Sequence, residues 1–503
     1  MPAGVPEERK DAMTAQRTRL KRRVAHAMRV LRRTAGGRLF PSGTMRRTTR
    51  ELMTLAWPIV AAMASETLLG LVDTKLVGGL GPAALGGVGV AMTLMFLGYS
   101  FLFGLMRGVK VCAAHAVGEG RGEQSVRYAQ AGVILGLCVG VGIWAAGRDA
   151  GPLLRFIGID EALVAPARTF LATVTYGAPG VAVLSALTQH RHAIGDTRTP
   201  MFVGLGANVV NALLGWSLIY GHFGLPALGV RGGAMATATC EWLEAIALTA
   251  LVVRDARLAG GLSRVRAQVP LARAIREVAA LGVPTGAQFG SEMLAFATFT
   301  AVLGTLGADQ IAAHQIALAT IRTSFLPGAA VAEAASVMVG QALGRRSLAD
   351  ADRATGAALA LAVSFMAVCG VVFALAGSAI ARGFTDDPGV AHVARTLLLI
   401  AAGFQVLDAA NIVLRGALRG AKDVRIPALI GVGIIWTCVP TAALLLGRLL
   451  GWGAAGGWCG FLGETTFGAI LFALRWRRGA WRRVYSSADD GASMHAGAAV
   501  LAG

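Results

Sequence analysis

The chain has 503 residues, 55% of them hydrophobic and only 15% charged, and its mean hydropathy is +0.61; soluble domains carry roughly 25% charged residues. That composition excludes an ordinary soluble enzyme and, at about 20 apolar residues per helical crossing, leaves room for a dozen spans between Leu52 and Trp476. The formal charge of +19 would suit nucleic acid or an anionic membrane surface, so its placement along the chain decides.

Residues 1–50 hold fourteen Lys/Arg and three acids. This basic extension reads as a cytoplasmic tail, or as sequence ahead of a later start at Met45, more readily than as an amphipathic helix on anionic lipid. No apolar stretch within it makes a secretory signal. Spans are predicted near 52–74, 83–117, 128–147, 163–189, 200–221 and 232–253, then near 278–303, 310–343, 354–380, 390–418, 427–447 and 453–474. The loop 254–277, with six arginines, divides an N-terminal unit (51–253) from a C-terminal one (278–475), and 476–503 form a tail. An even number of crossings puts both termini on one side. That side collects thirty-five Lys/Arg and the other eight, so the positive-inside rule places both termini in the cytoplasm of a multi-pass protein of the inner membrane. The six cysteines lie far apart without a CxxC pair and read as small apolar residues in helices.

The chain also matches itself at an offset of 226 residues. RELMTLAWP (50–58) falls on REVAALGVP (276–284), Ser65-Glu66 on Ser291-Glu292, and Val117-Gly118 on Leu343-Gly344; after a one-residue shift GDTRTP (195–200) meets KDVRIP (422–427). Six crossings are even, so both copies enter the membrane in the same direction, as in transporters built from parallel repeats with a cavity at their interface. The expected fold is all-α, with twelve transmembrane helices in two six-helix lobes. Pro58 and Pro284 fall early in the first helix of each lobe, where a missing backbone hydrogen bond permits a kink.

Ionisable groups inside spans ask for a reason, since each costs at least about 2.5–3.5 kcal/mol near mid-bilayer. Glu66, Asp73, Glu241, Glu244, Glu292, Glu333, Asp408 and Glu464 are such acids. A buried carboxyl exchanges a proton for Na+ or for a cationic substrate. Glu333 and Arg322, three helical turns apart, each ask for a partner on another helix, while Arg322 and Arg415 are the central arginines. His115 and its repeat counterpart Gln341 suggest polar packing, His314 a structural hydrogen bond, and Glu241 and Glu244 helix packing or a polar cavity wall.

LLGLVDTKLVGGLG (68–81), AIGDTRTP (193–200), GLPALGVRGGAMATA (224–238), ADQIAAHQIA (308–317), VMVGQALG (337–344) and FQVLDAANIVLRGALRGAKD (404–423) together resemble the multidrug and toxic-compound extrusion (MATE) family over residues 50–475. The resemblance implies two lobes in a V, alternating access, and exchange of amphipathic, often cationic, organic compounds for H+ or Na+ without a cofactor. Glu292 and Asp408 match the family's acids of the C-terminal lobe, where they would share a proton or ligate Na+. Asp73 matches the acid of the first helix. Glu66 stands where Gln is expected, and Gly215 where relatives often carry Asp, with Asn211 nearby. Glu66 is therefore expected to replace the missing acid beside Asp73.

Two other functions compete. A lipid-linked precursor flippase shares this core and would need a basic cavity, and a membrane anchor would recruit acidic partners through the basic tail. No HExxH, GxSxG or Walker sequence is present, so an enzyme or an ATP-driven pump is not expected. The expected partners are small molecules and the bilayer, with no specific nucleic acid, and the chain is expected to act as a monomer.

Overall fold

A computed structural model describes residues 42–258 and 269–482. The extension up to residue 41, the linker centre 259–268 and the tail from residue 483 lie outside the described residues. Twelve long helices follow one another: α1 (Ser42–Gly78), α2 (Pro82–Gly118), α3 (Gly122–Gly147), α4 (Glu161–Ala193, with a 3-10 turn at Thr175–Gly177), α5 (Arg198–Tyr220) and α6 (Val230–Leu258). The second set is α7 (Leu271–Gly304), α8 (Ala308–Gly344), α9 (Leu348–Phe384), α10 (Pro388–Gly420), α11 (Arg425–Leu449, ending in a π-helical stretch from Ala443) and α12 (Gly453–Arg478). They form two six-helix lobes. A short helix, Gly151–Phe156, connects α3 to α4.

The sequence sets the helix ends by familiar means. Pro82 and Pro388 open their helices where no intrahelical donor is lost. Asp387 caps Gly389 and Val390, and Ser347 caps Asp350. Gly221 and Gly479 close α5 and α12 in the left-handed region. Helices overrun the predicted spans: α1 starts at Ser42, inside the basic extension, and α6 and α7 take up both ends of the predicted linker. Eleven of the twelve helices are apolar enough over a crossing length to span a membrane. The exception is α7, whose middle carries Gln288, Ser291 and Glu292.

Large apolar side chains such as Leu71, Val368, Leu375 and Leu429 point outward, while alanine and glycine fill the buried contacts, as expected where lipid is as apolar as leucine and close backbone approach supplies the packing. The first helix of each lobe crosses the seam between the lobes. Leu52 and Ala56 of α1 join a cluster with Val331, Ala335, Ala358 and Val413 of the C-terminal lobe. In exchange, Ala274 and Val278 of α7 join the N-terminal cluster around Leu105 and Val109. Farther along, each helix returns to its own lobe: Ser65 accepts a hydrogen bond from Asn208 of α5 (2.7 Å), and its repeat counterpart Ser291 accepts one from Trp436 of α11 (2.9 Å). Pro58 and Pro284 lie inside α1 and α7, ahead of the residues that return each helix to its own lobe.

The axis relating the lobes passes between α2 and α8. Residues that match at the repeat offset meet there: Arg107 with Glu333, Ala114 with Gly340, and Gly118 with Gly344. Further bonds across the seam are Arg127 Nε to the Val269 carbonyl (3.0 Å), Tyr128 Oη to Glu277 (2.6 Å), His115 Nε2 with the Gly420 carbonyl (2.9 Å) and Gln341 Nε2 to the Ala193 carbonyl (2.8 Å). All lie in the half of the bundle that carries the termini. In the other half α2 packs within its own lobe, Gly87 against Pro166 and Ala167 of α4, and α8 within its own, His314 against Trp458 of α12. The lobes therefore join at the end of the termini and part toward the other.

A side chain at Gly104 of α2 tests this seam, because its Cβ would fall 2.5 Å from Gly286 Cα and 2.7 Å from the Thr285 carbonyl of α7. Gly104→Val should lower stability by about 1–3 kcal/mol or more, read as a drop in the thermal unfolding midpoint in detergent. Gly89→Val, on the same helix and with nothing within 4 Å, is the control and should change it little.

Candidate functional site

The floor of the cleft between the lobes is built from five helices. On α10, Gln405, Asp408, Asn411, Arg415 and Arg419 follow at steps of three or four residues, so they form one polar stripe. Glu292 and Gln288 face it from α7, Glu464 from α12, Glu333 from α8, and Arg107 and Lys110 from α2. Ions at this depth are tolerated only when paired, and nearly all of these are.

Two groups of ions result. In the first, Glu333 accepts from three cations: Arg107 (3.0 Å), Arg419 (3.2 Å) and Lys110. Lys110 is wholly buried, and Arg107 also lies 3.9 Å over the Phe289 ring. This group joins the lobes, since α2 belongs to one and α8 and α10 to the other. In the second, Arg415 Nη1 donates to Glu292 Oε1 at 2.6 Å and its Nη2 stands 3.5 Å from Glu464 Oε1. Gln288 donates to the same Glu292 oxygen at 2.8 Å, and Asn411 Nδ2 to Glu464 at 3.1 Å. The side chains of Arg107, Glu333, Arg415, Glu292 and Glu464 keep 11–16% of their surface accessible.

The residues singled out in the sequence fall as follows. Glu292 is at the centre of the second group. Asp408, half-buried, forms no ion pair among the described residues, although Glu464 and Arg415 are within electrostatic reach; no direct bond joins it to Glu292. In the N-terminal lobe, Glu66 is exposed and Asp73 half-exposed on α1. The acidic neighbour of Glu66 is Glu244 of α6, while Glu241 holds one buried carboxylate oxygen without a hydrogen-bond partner. Asn211 is buried, and a Cβ at Gly215 would meet nothing closer than Leu76 at 3.6 Å, with Asn211 Oδ1 at 4.0 Å.

Two expectations need correction. Arg322 is exposed and has no ion-pair partner among the described residues, because its helix face leaves the seam. The central cations are instead Arg107, Lys110, Arg415 and Arg419, of which only Arg415 was read as central. Glu241 and Glu244 lie near Glu66 and Asp73 in one acidic region of α1 and α6. The repeat carries a sign of the Arg107–Glu333 pairing: position 107 maps onto position 333, an arginine onto a glutamate. His314 accepts a hydrogen bond from Trp458 Nε1 (3.2 Å).

An all-helical, two-lobed bundle of twelve crossings with charged groups at the inter-lobe floor defines a multi-pass membrane transporter. The MatE family model matches residues 58–217 and 284–443, two segments displaced by 226 residues, the offset of the internal repeat. The chain belongs to this family, the MATE transporters. It is 33% identical over 444 residues to the "Probable multidrug resistance protein NorM" of Burkholderia mallei, covering 87% of this chain and 94% of that protein. Among solved structures it is similar to the eukaryotic MATE transporter AtDTX14 (TM-score 0.79, 21% identity, 89% of this chain and 99% of that one). It is also similar to a multidrug resistance MATE transporter of the MOP superfamily in an outward-facing conformation (TM-score 0.77, 20% identity, 88% and 96%).

Removing the only carboxylate among three buried cations should be costly. Glu333→Gln is expected to lose about 3–5 kcal/mol, and adding Lys110→Met to it should restore part of that loss by removing one unpaired charge. Unfolding midpoints of the purified single and double variants check this; a Glu333→Gln protein as stable as the wild type would contradict the pairing.

Proposed function

We propose that the protein is a secondary active exporter of amphipathic, often cationic, organic compounds, driven by entry of H+ or Na+. The observation that carries this reading is the set of carboxylates held within membrane-spanning helices around one cleft: Glu292, Asp408, Glu464 and Glu333 on one side, Glu66, Asp73, Glu241 and Glu244 on the other. Family membership and the likeness to multidrug resistance proteins support the substrate class. An amphipathic cation needs apolar walls with few fixed polar contacts, and the Gly/Ala-rich inner faces of the helices supply them.

With both termini in the cytoplasm of the inner membrane, a placement that the charge asymmetry supports, the joined ends of the lobes close the cytoplasmic side and the cleft opens outward. Export then proceeds by parting the cytoplasmic seam, admitting a compound, and closing it again. Glu292 and Asp408 serve as the coupling acids of the C-terminal lobe. Asp73 and Glu66 do so in the N-terminal lobe, with Glu244 as the nearest carboxyl to Glu66 and Asn211 as a supporting polar group.

A flippase for lipid-linked diphosphates would need cations free to meet phosphate. Arg107, Lys110, Arg415 and Arg419 each pair with Glu333, Glu292 or Glu464, and the likeness to multidrug resistance proteins favours the exporter reading.

Reconstitution in liposomes with a lipophilic cationic dye tests the proposal. Dye should move against its gradient when a cation gradient is imposed. Glu292→Gln and Asp408→Asn should each reduce that flux by at least about tenfold, and the double variant should lose little more, as groups acting as a unit do. Dye movement under no cation gradient at all, or normal flux in Glu292→Gln, would refute it.

A further inference from the structure

Glu292, one of the two acids expected to ligate Na+ in the C-terminal lobe, does not offer a cation site together with its neighbour Glu464. A hard cation needs several converging oxygens, yet the groups that converge on Glu292 and Glu464 are N–H donors. Arg415 lies between the two carboxylates, anchored on α10, with Cζ 5.2 Å from the Phe472 ring. Its Nη2 also donates to Asn411 Oδ1 at 3.3 Å. A guanidinium has no acceptor and does not lose its proton, so this bond fixes the Asn411 amide with its NH2 toward Glu464. Gln288 likewise turns its NH2 to Glu292.

We infer that Arg415 stands in the place of a coupling sodium ion, a tethered cation between Glu292 and Glu464, so that this transporter excludes Na+ from these two carboxylates and exchanges its substrate for protons. The inference rests on the antiport reading above and narrows its coupling ion. Physical exclusion follows from charge. A sodium ion at these carboxylates would lie about 4 Å from the guanidinium, and two unit charges at that distance and an effective dielectric near 20 repel enough to weaken binding by about a thousandfold. The arginine cannot withdraw as a free ion does. It is a feature of one lobe: Glu66 occupies the repeat-equivalent of Glu292, whereas the alignment of 195–200 with 422–427 sets Thr188 opposite Arg415.

The test is direct binding of radioactive 22Na+ to the purified full-length protein, together with unfolding midpoints in NaCl and in KCl. Wild type should bind no saturable Na+ and unfold alike in both salts. Arg415→Gln should gain Na+ binding by about a hundredfold or more, with unfolding raised in NaCl only, and adding Glu292→Gln should abolish the gain. Saturable Na+ binding by wild type that Glu292→Gln removes would overturn the inference, as would a folded Arg415→Gln protein indifferent to Na+. Should Arg415→Gln not fold, the wild-type measurement decides alone, with the Glu292→Gln protein as its control. A protein that moves no dye under either gradient would defeat the antiport reading, while the binding result would still report on Arg415.

Discussion

A carboxylate with three cations around it in the middle of a membrane protein is stable only while the four groups stay together. Glu333 is in that position, and its partners come from both lobes. The N-terminal lobe alone is not a satisfactory solution for its charges: without α8 and α10, Arg107 and Lys110 are uncompensated cations in a span, whereas Glu333 and Arg419 pair within the C-terminal lobe. Charge compensation at depth therefore joins with glycine packing at the same seam, where Gly104, Gly108 and Gly118 of α2 lie against backbone of α7 and α8. The glycines set how close the lobes come. The ions set which arrangement is favoured.

This has a consequence for motion. A transporter of this architecture works by rocking two lobes about a site between them, so the seam at one end must open. Here the seam places its ions beside Glu292, Asp408 and Glu464, with Arg415 and Arg419 four residues apart on one stripe of α10. A change in charge at these acids is felt by the group that holds the lobes together over a few ångströms of low-dielectric protein. No long pathway is required.

Much of the architecture was legible in the sequence because apolar length and the 226-residue repeat are strong, redundant signals. The paired serines Ser65 and Ser291 and the prolines Pro58 and Pro284 landed in equivalent structural roles. The acids of the site were legible one by one, since a carboxylate inside an apolar span draws attention. Their partners were not. Arg107 and Lys110 lie near the end of a long span, where cations are common for reasons of topology, and only tertiary structure shows that α2 turns them into the seam. Arg415 was visible as a central arginine, but its bond to Glu292 joins residues far apart in sequence. Arg322 misled for the opposite reason: spacing on a helix gives a face, not what that face meets.

The central claim is that the Glu333 group holds the lobes together at the end carrying the termini. Spin labels at Glu119, after α2, and Arg345, after α8, measure that end directly by pulsed electron resonance in lipid nanodiscs. The account predicts one short, narrow distance distribution in wild type and, in Glu333→Gln, a second population at longer distance as the seam parts. A distribution unchanged by Glu333→Gln would contradict it.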